Sequence, residues 1–86
     1  MTMQSTRPIN REKRVQIMQY MMSFATETGR QPSVREIGMA AGLQSTSTTA
    51  GYLRRMVNEG LLAKSEQARR IYFVTSSAQE LLRNAG

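Results

Sequence analysis

Pro32 to Arg55 reads PSVREIGMAAGLQSTSTTAGYLRR, and the fold is decided in this stretch. Ser33 follows Pro32 and precedes Glu36 by three residues. At that spacing the Ser33 hydroxyl accepts from the Glu36 backbone N–H while the Glu36 carboxylate reaches back to the cap, a reciprocal capping box. The spacing predicts a short helix to about Ala41 that buries Ile37 and Ala41 one turn apart. Gly42 stops it, because glycine takes the left-handed conformation without steric cost. Leu43 is expected to plug the core, and Gln44-Ser45-Thr46 forms a polar turn. Ser45 or Thr46 then caps a longer helix that continues to about Glu59. Two helices joined by a glycine-containing turn make a helix-turn-helix, whose second helix is the candidate reader of a DNA groove.

That second helix divides into two faces. Thr49, Leu53, Met56 and Val57 recur at i, i+4, i+7 and i+8 and form an inward stripe. Ser47, Thr48, Gly51, Arg54, Arg55 and Asn58 occupy the other side, which holds no acid and no large apolar group. Small hydroxyl residues let a helix approach base edges, and arginine bonds guanine or phosphate. The plainer reading is that Ser and Thr merely begin a helix whose back is solvated by the arginine pair. The helix by itself leaves both open.

Composition narrows the choice. The chain has 86 residues, a net charge of +6 and a sequence pI near 10.8, with ten Arg, two Lys, six Glu and no Asp. Such a balance suits a polyanion, either nucleic acid or an anionic membrane surface. Arginine in preference to lysine favours phosphate and guanine, since its planar fork meets two acceptors at once. Cysteine and histidine are both absent, so there is no disulfide framework, no thiolate chemistry and no usual metal cluster or general base. The acids are scattered singly. No apolar run is long enough to span a membrane, and the N-terminus lacks a signal-peptide pattern. A soluble cytoplasmic protein without a metal, cofactor or small-molecule ligand is the expectation. One small domain is all this length supports.

Outside the central stretch the pattern continues. Residues 1–9 are polar, aperiodic and contain Pro8, which predicts a loose arm; the basic run with Arg7 and Arg11 to Arg14 is read as a solvated helix start. Asn10 is a plausible cap for a helix over about Arg11 to Thr28, with Ile17, Met21, Phe24 and Ala25 on its inner face and Met22 pointing away. Met18 and Met21 are read as adaptable core filling. After Glu59-Gly60, Leu61–Lys64 and Arg70–Val74 read as two short strands, with Ile71 and Phe73 packed on the helices. Residues 65–69 make the tip, whose turn type stays open. A helix-turn-helix followed by a hairpin is a winged helix, and Arg69 and Arg70 are placed to reach a flanking phosphate from the wing. Ser77 and Glu80 repeat the capping-box spacing and predict a short helix over 78–84. Its apolar side (Ala78, Leu81, Leu82) either covers the domain's core or meets a partner.

PSVREIG, then AAGL, then YLRRM-x-x-EGLL resemble the N-terminal DNA-binding domain of LexA-type repressors. The similarity runs from about Ile17 to Val74 and includes TETGRQPSVREIG, the Gly42-Leu43 turn and a wing ending Arg69-Arg70-Ile71. The resemblance implies a third helix in the major groove, a wing on the backbone, and base and phosphate contacts at Ser45, Ser47, Thr48, Ala50 and Gly51. The sequence departs from that family in places. Thr46 replaces a proline common at the start of the reading helix, and Ala50 and Gly51 stand where polar or acidic base readers often occur. The family's operator therefore does not carry over. The resemblance also leaves the serine–lysine self-cleaving domain, and the dimerisation it supplies, without a counterpart in these residues.

The expected architecture is mainly α with a small β-hairpin: a three-helix winged helix-turn-helix over 10–75 and a short C-terminal helical tail over 76–86. The expected function is a small sequence-specific DNA-binding transcription regulator, most naturally a bacterial or phage repressor. It would bind double-stranded DNA, with a possible homodimer through Ala78, Leu81 and Leu82 and no membrane partner. The alternative is a winged-helix adaptor or antirepressor that docks on a protein and has only weak, non-specific DNA affinity. No nucleophile–base pair supports an enzyme.

Overall fold

The computed structural model describes residues 11–66 and 71–85. Its element order is α1 (Arg11–Thr28), α2 (Val34–Ala40), α3 (Thr46–Asn58), β1 (Leu62–Lys64), β2 (Tyr72–Val74) and α4 (Ser76–Ala85). The architecture is the expected one, three helices and a two-stranded wing followed by a fourth helix. The predicted arm over 1–9, the Asn10 cap and the end of the wing with Arg69 and Arg70 lie outside the described residues.

Local chemistry sets the boundaries of α2 and α3. Ser33 Oγ accepts from the Glu36 amide at 3.1 Å and Glu36 Oε1 accepts from the Ser33 amide at 2.8 Å, so both halves of the capping box are made. Ser45, and not Thr46, caps α3, its hydroxyl accepting from the Thr48 amide at 3.0 Å. Both helices end in the same way. Gly42 (φ 74°) follows α2, with Leu43 N–H on Gly38 C=O at 2.8 Å and Gly42 N–H on Met39 C=O at 3.3 Å. Gly60 (φ 84°) follows α3, with Leu61 N–H on Met56 C=O at 2.9 Å and Gly60 N–H on Val57 C=O at 3.0 Å. This paired bonding is the Schellman arrangement, and it requires a residue that tolerates positive φ.

The core forms where the helices and wing meet, around Ile17, Met21, Ile37, Leu53, Met56 and Leu62. Along α1 the buried set is Ile17, Met18 and Met21, while Phe24 and Ala25 are only half-buried. Met22, expected to face away, is half-buried against the core. Leu43 likewise packs on the core without being fully enclosed.

The wing pairs Leu62 with Val74, Ala63 with Phe73 and Lys64 with Tyr72 in antiparallel register. Its faces are opposite to the expectation: Tyr72 and Val74 are buried, whereas Phe73 is 39% exposed. The cause lies upstream. The end of α3 delivers Leu62 inward, its cross-strand partner Val74 must share that face, and the two-residue period then turns Tyr72 in and Phe73 out.

The last helix also starts earlier than the Ser77–Glu80 spacing predicts. Thr75 is the cap, its hydroxyl accepting from the Ala78 amide at 3.2 Å and donating to Gly60 C=O at 2.8 Å. The ladder bond from Thr75 N–H to Leu61 C=O (3.0 Å) holds Thr75 at the wing's edge, where the next residue can enter the helix. Ala78 is fully buried in the core, Leu82 packs on its rim, and Leu81 is 58% exposed. Ala78 is therefore a core residue and cannot belong to a surface that meets a second copy.

Candidate nucleic-acid interface

The inward stripe of α3 places its outer face. Thr49, Leu53 and Met56 are buried, and Val57 packs against the core. Ser45, Ser47, Thr48, Arg54, Arg55 and Asn58 are exposed on the remainder of the helix and its cap, with Ala50 and Gly51 half-exposed. Seven residues of the expected contact set are thus brought to one helix and its cap; Arg69 and Arg70 are the two outside the described residues. An ideal Cβ at Gly51 would meet nothing within 4 Å, so the domain's own packing does not demand glycine there.

Ser45 has a structural duty as well as its place in the contact set. Besides accepting from the Thr48 amide, its hydroxyl lies 2.9 Å from Thr48 Oγ1, so both side chains are engaged at the helix start. Thr46 and Ser47 make no side-chain hydrogen bond among the described residues and remain open to a partner.

Several contacts that hold this face in place were not visible in the spacing. Gly38 of α2 approaches Thr49 of α3 so closely that an ideal Cβ would stand 2.5 Å from Thr49 Oγ1, which itself donates to Ser45 C=O at 2.9 Å. Lys13 donates to Ala41 C=O at 2.7 Å and Gln16 to Ala40 C=O at 3.2 Å, tying the end of α2 to α1. Arg14 forks onto Glu59, with Nε to Oε1 at 2.8 Å, and so ties α1 to the end of α3. Arg30 forks onto Glu36 at 3.2 and 3.3 Å and stacks over Phe24, 4.8 Å from the ring centre. Only the low acid count hints at this arrangement, since each glutamate near the reading helix has several arginines to choose from.

These pairings sort the charge. The Arg30 side chain, followed by the Ser33 amide, holds the Glu36 carboxyl below the usual glutamate range. Glu36 and Glu59 are each paired with an arginine from outside α3, whereas Arg54 and Arg55 make no ion pair among the described residues. The outer face of α3 therefore presents positive charge and hydroxyls with no competing acid of its own. Among the described residues no group of His, Cys, Asp or Glu could hold a metal ion, and no helix is long and apolar enough to cross a membrane.

Comparison with known proteins agrees with this geometry. The family model for the LexA DNA binding domain matches residues 2–71. The LexA repressor of Leuconostoc mesenteroides is 39% identical over 72 residues, covering 81% of this chain and 34% of the relative. The LexA repressor of Lacticaseibacillus casei is 39% identical over 67 residues, 78% of this chain and 32% of the relative. That of Clostridium perfringens is 43% identical over 53 residues, 62% of this chain and 26% of the relative. The chain thus spans about a third of the length of the first two relatives. With the capping box, both glycine stops and the first strand of the wing falling inside the matched segment, the chain belongs to the LexA DNA-binding domain family.

Proposed function

We propose that this chain is a sequence-specific DNA-binding transcriptional repressor, reading operator DNA with α3 in the major groove and resting its wing on the phosphate backbone. The observation that carries the reading is the acid-free outer face of α3, where Ser47, Thr48, Arg54 and Arg55 are exposed while the nearby glutamates are paired elsewhere. Ser45, Ala50 and Gly51 complete the contact set: Ser45 as the cap that aims the helix, Ala50 and Gly51 as positions that let it pass close to the bases. Arg69 and Arg70 act through charge on flanking phosphates. The protein works in the cytoplasm and carries no catalytic role.

Two copies load on one operator, because a single helix reads only a few base pairs and paired half-sites lengthen the site. With Ala78 in the core, Leu81 and the rim of Leu82 are what the tail can offer to a second copy.

Selection from a random duplex library tests the reading. Enrichment of a short motif, bound far more tightly than unrelated duplex at physiological salt, is expected. Weak binding that salt erases, with no motif enriched, would favour a protein-docking adaptor instead.

A further inference from the structure

We propose that the DNA-facing surface does not end at α3 but crosses onto α2, where Arg35 takes a backbone phosphate beside the bases that α3 reads. This rests on the DNA-binding reading above and adds a contact to it.

A groove runs between the outer edge of α2 and the start of α3, and Arg35, Met39, Gln44, Ser45 and Thr46 line it. Arg35 and Met39 are one helical turn apart and both exposed, so they share the outer edge of α2. Ser45 and Thr46 open α3, so the groove is continuous with the proposed reading face.

Charge follows from sorting. The groove's lining contains one formal charge, that of Arg35, and no acid. Glu36 adjoins Arg35 in sequence, yet its carboxylate faces the other way in function: it accepts from Arg30 and from the Ser33 amide. The Arg35 side chain makes no hydrogen bond or ion pair among the described residues. Had Glu36 been free, it would have neutralised Arg35 or repelled a phosphate at this edge. The Arg30 fork removes that competition.

A guanidinium offers two parallel N–H donors to one phosphate, and the exposed amide of Gln44 and hydroxyl of Thr46 stand in the same groove as further donors. Arg35 sits two residues after the Ser33 cap, on a turn fixed by the capping box, so its backbone is held while its side chain remains free. A phosphate contact of this kind fixes the register of the protein on the duplex without reading sequence. It would add affinity, and no sequence preference, beside Ala50 and Gly51, which offer no polar side chain to the bases.

The test compares two exposed arginines that each contribute one positive charge, only one of which lines the groove. Arg35→Gln and Arg83→Gln are titrated, with wild type and Arg35→Lys, against the duplex that wild type selects and against a scrambled duplex, across a salt series. Duplexes with a single neutral methylphosphonate at each backbone position are included. Each phosphate neutralised contributes a slope of about −0.9 in log affinity against log salt. Arg35→Gln is expected to lose about one such contact and to weaken both duplexes equally. Arg35→Lys is expected to keep the slope, and Arg83→Gln to leave it unchanged. One methylphosphonate position per half-site should weaken wild type but leave Arg35→Gln unaffected. If Arg35→Gln instead matches Arg83→Gln in slope and loses as much as wild type at every methylphosphonate, the inference is overturned while the selected motif still supports the function. If wild type selects no motif, the functional reading fails and this inference falls with it.

Discussion

Gly38 of α2 lies directly against Thr49 of α3: a Cβ at position 38 would stand 2.5 Å from Thr49 Oγ1 and 3.4 Å from its Cβ. Thr49 cannot turn aside easily, because it is fully buried, β-branched and bonded to Ser45 C=O. Gly38→Ala should therefore destabilise the domain by about 1–3 kcal/mol, the usual range for overpacking, despite the roughly 1 kcal/mol that alanine gains over glycine in a helix. Thr49→Ala removes the obstructing hydroxyl and methyl. The double variant should thus lose less than the sum of the singles in urea titration. Strict additivity would mean that the two side chains do not meet in solution.

Gly51 should behave in the opposite way. It lies inside α3 with nothing within 4 Å of its missing Cβ. Gly51→Ala is expected to raise stability by about 1 kcal/mol, read as a higher denaturation midpoint with an unchanged m-value. Gly51→Leu should fold yet lose operator binding, because its bulk would stand between the helix and the bases. A folded Leu variant that binds like wild type would remove Gly51 from the interface.

How much of this was legible in the sequence depended on range. Ser33 with Glu36, and Gly42 and Gly60 after their helices, act over three to five residues, so their effect is written in adjacent letters. The inward stripe of α3 was legible for the same reason, since its period belongs to one helix. The face of the wing was not, because whether Tyr72 or Phe73 turns inward depends on where α3 leaves Leu62, ten or more residues away. Gly38 with Thr49 and Arg14 with Glu59 join different helices, and no periodicity within either helix encodes how they cross. In the candidate site the residue types on α3 could be assigned to a face early. That the neighbouring acids are paired elsewhere required the fold.

The Arg30–Glu36 pair carries a pH signature. Glu36 titrates below its ordinary value in the folded domain, so its contribution to stability is fully present above the ordinary glutamate range and is lost as pH falls through the depressed one. The start of α2 should therefore loosen on acidification, seen as earlier amide exchange at Ser33 and Glu36 than at Leu53. Glu36→Gln should remove this pH dependence, and Arg30→Gln should move it upward toward the ordinary glutamate value. An acid transition that is identical in all three proteins would show that the pair does not govern the helix start.

The tail offers a narrower test of assembly. Leu81 is exposed on α4 while Ala78 and Leu82 serve the domain's own core. Leu81→Asp should preserve folding and abolish cooperative loading of two half-sites, as followed by sedimentation of the complexes. Unchanged cooperativity would place the contact between copies elsewhere.

The proposed reading of DNA by the outer face of α3 stands or falls with Arg54 and Arg55. Both are exposed, and both can be shortened without touching the core. Binding of the Arg54→Ala/Arg55→Ala protein to the duplex that wild type selects, measured beside a scrambled duplex at fixed salt, should show a loss of roughly 1–3 kcal/mol for each arginine that meets a base, with relaxed preference at that position. A folded double variant that binds the selected duplex as tightly and as selectively as wild type would contradict the account.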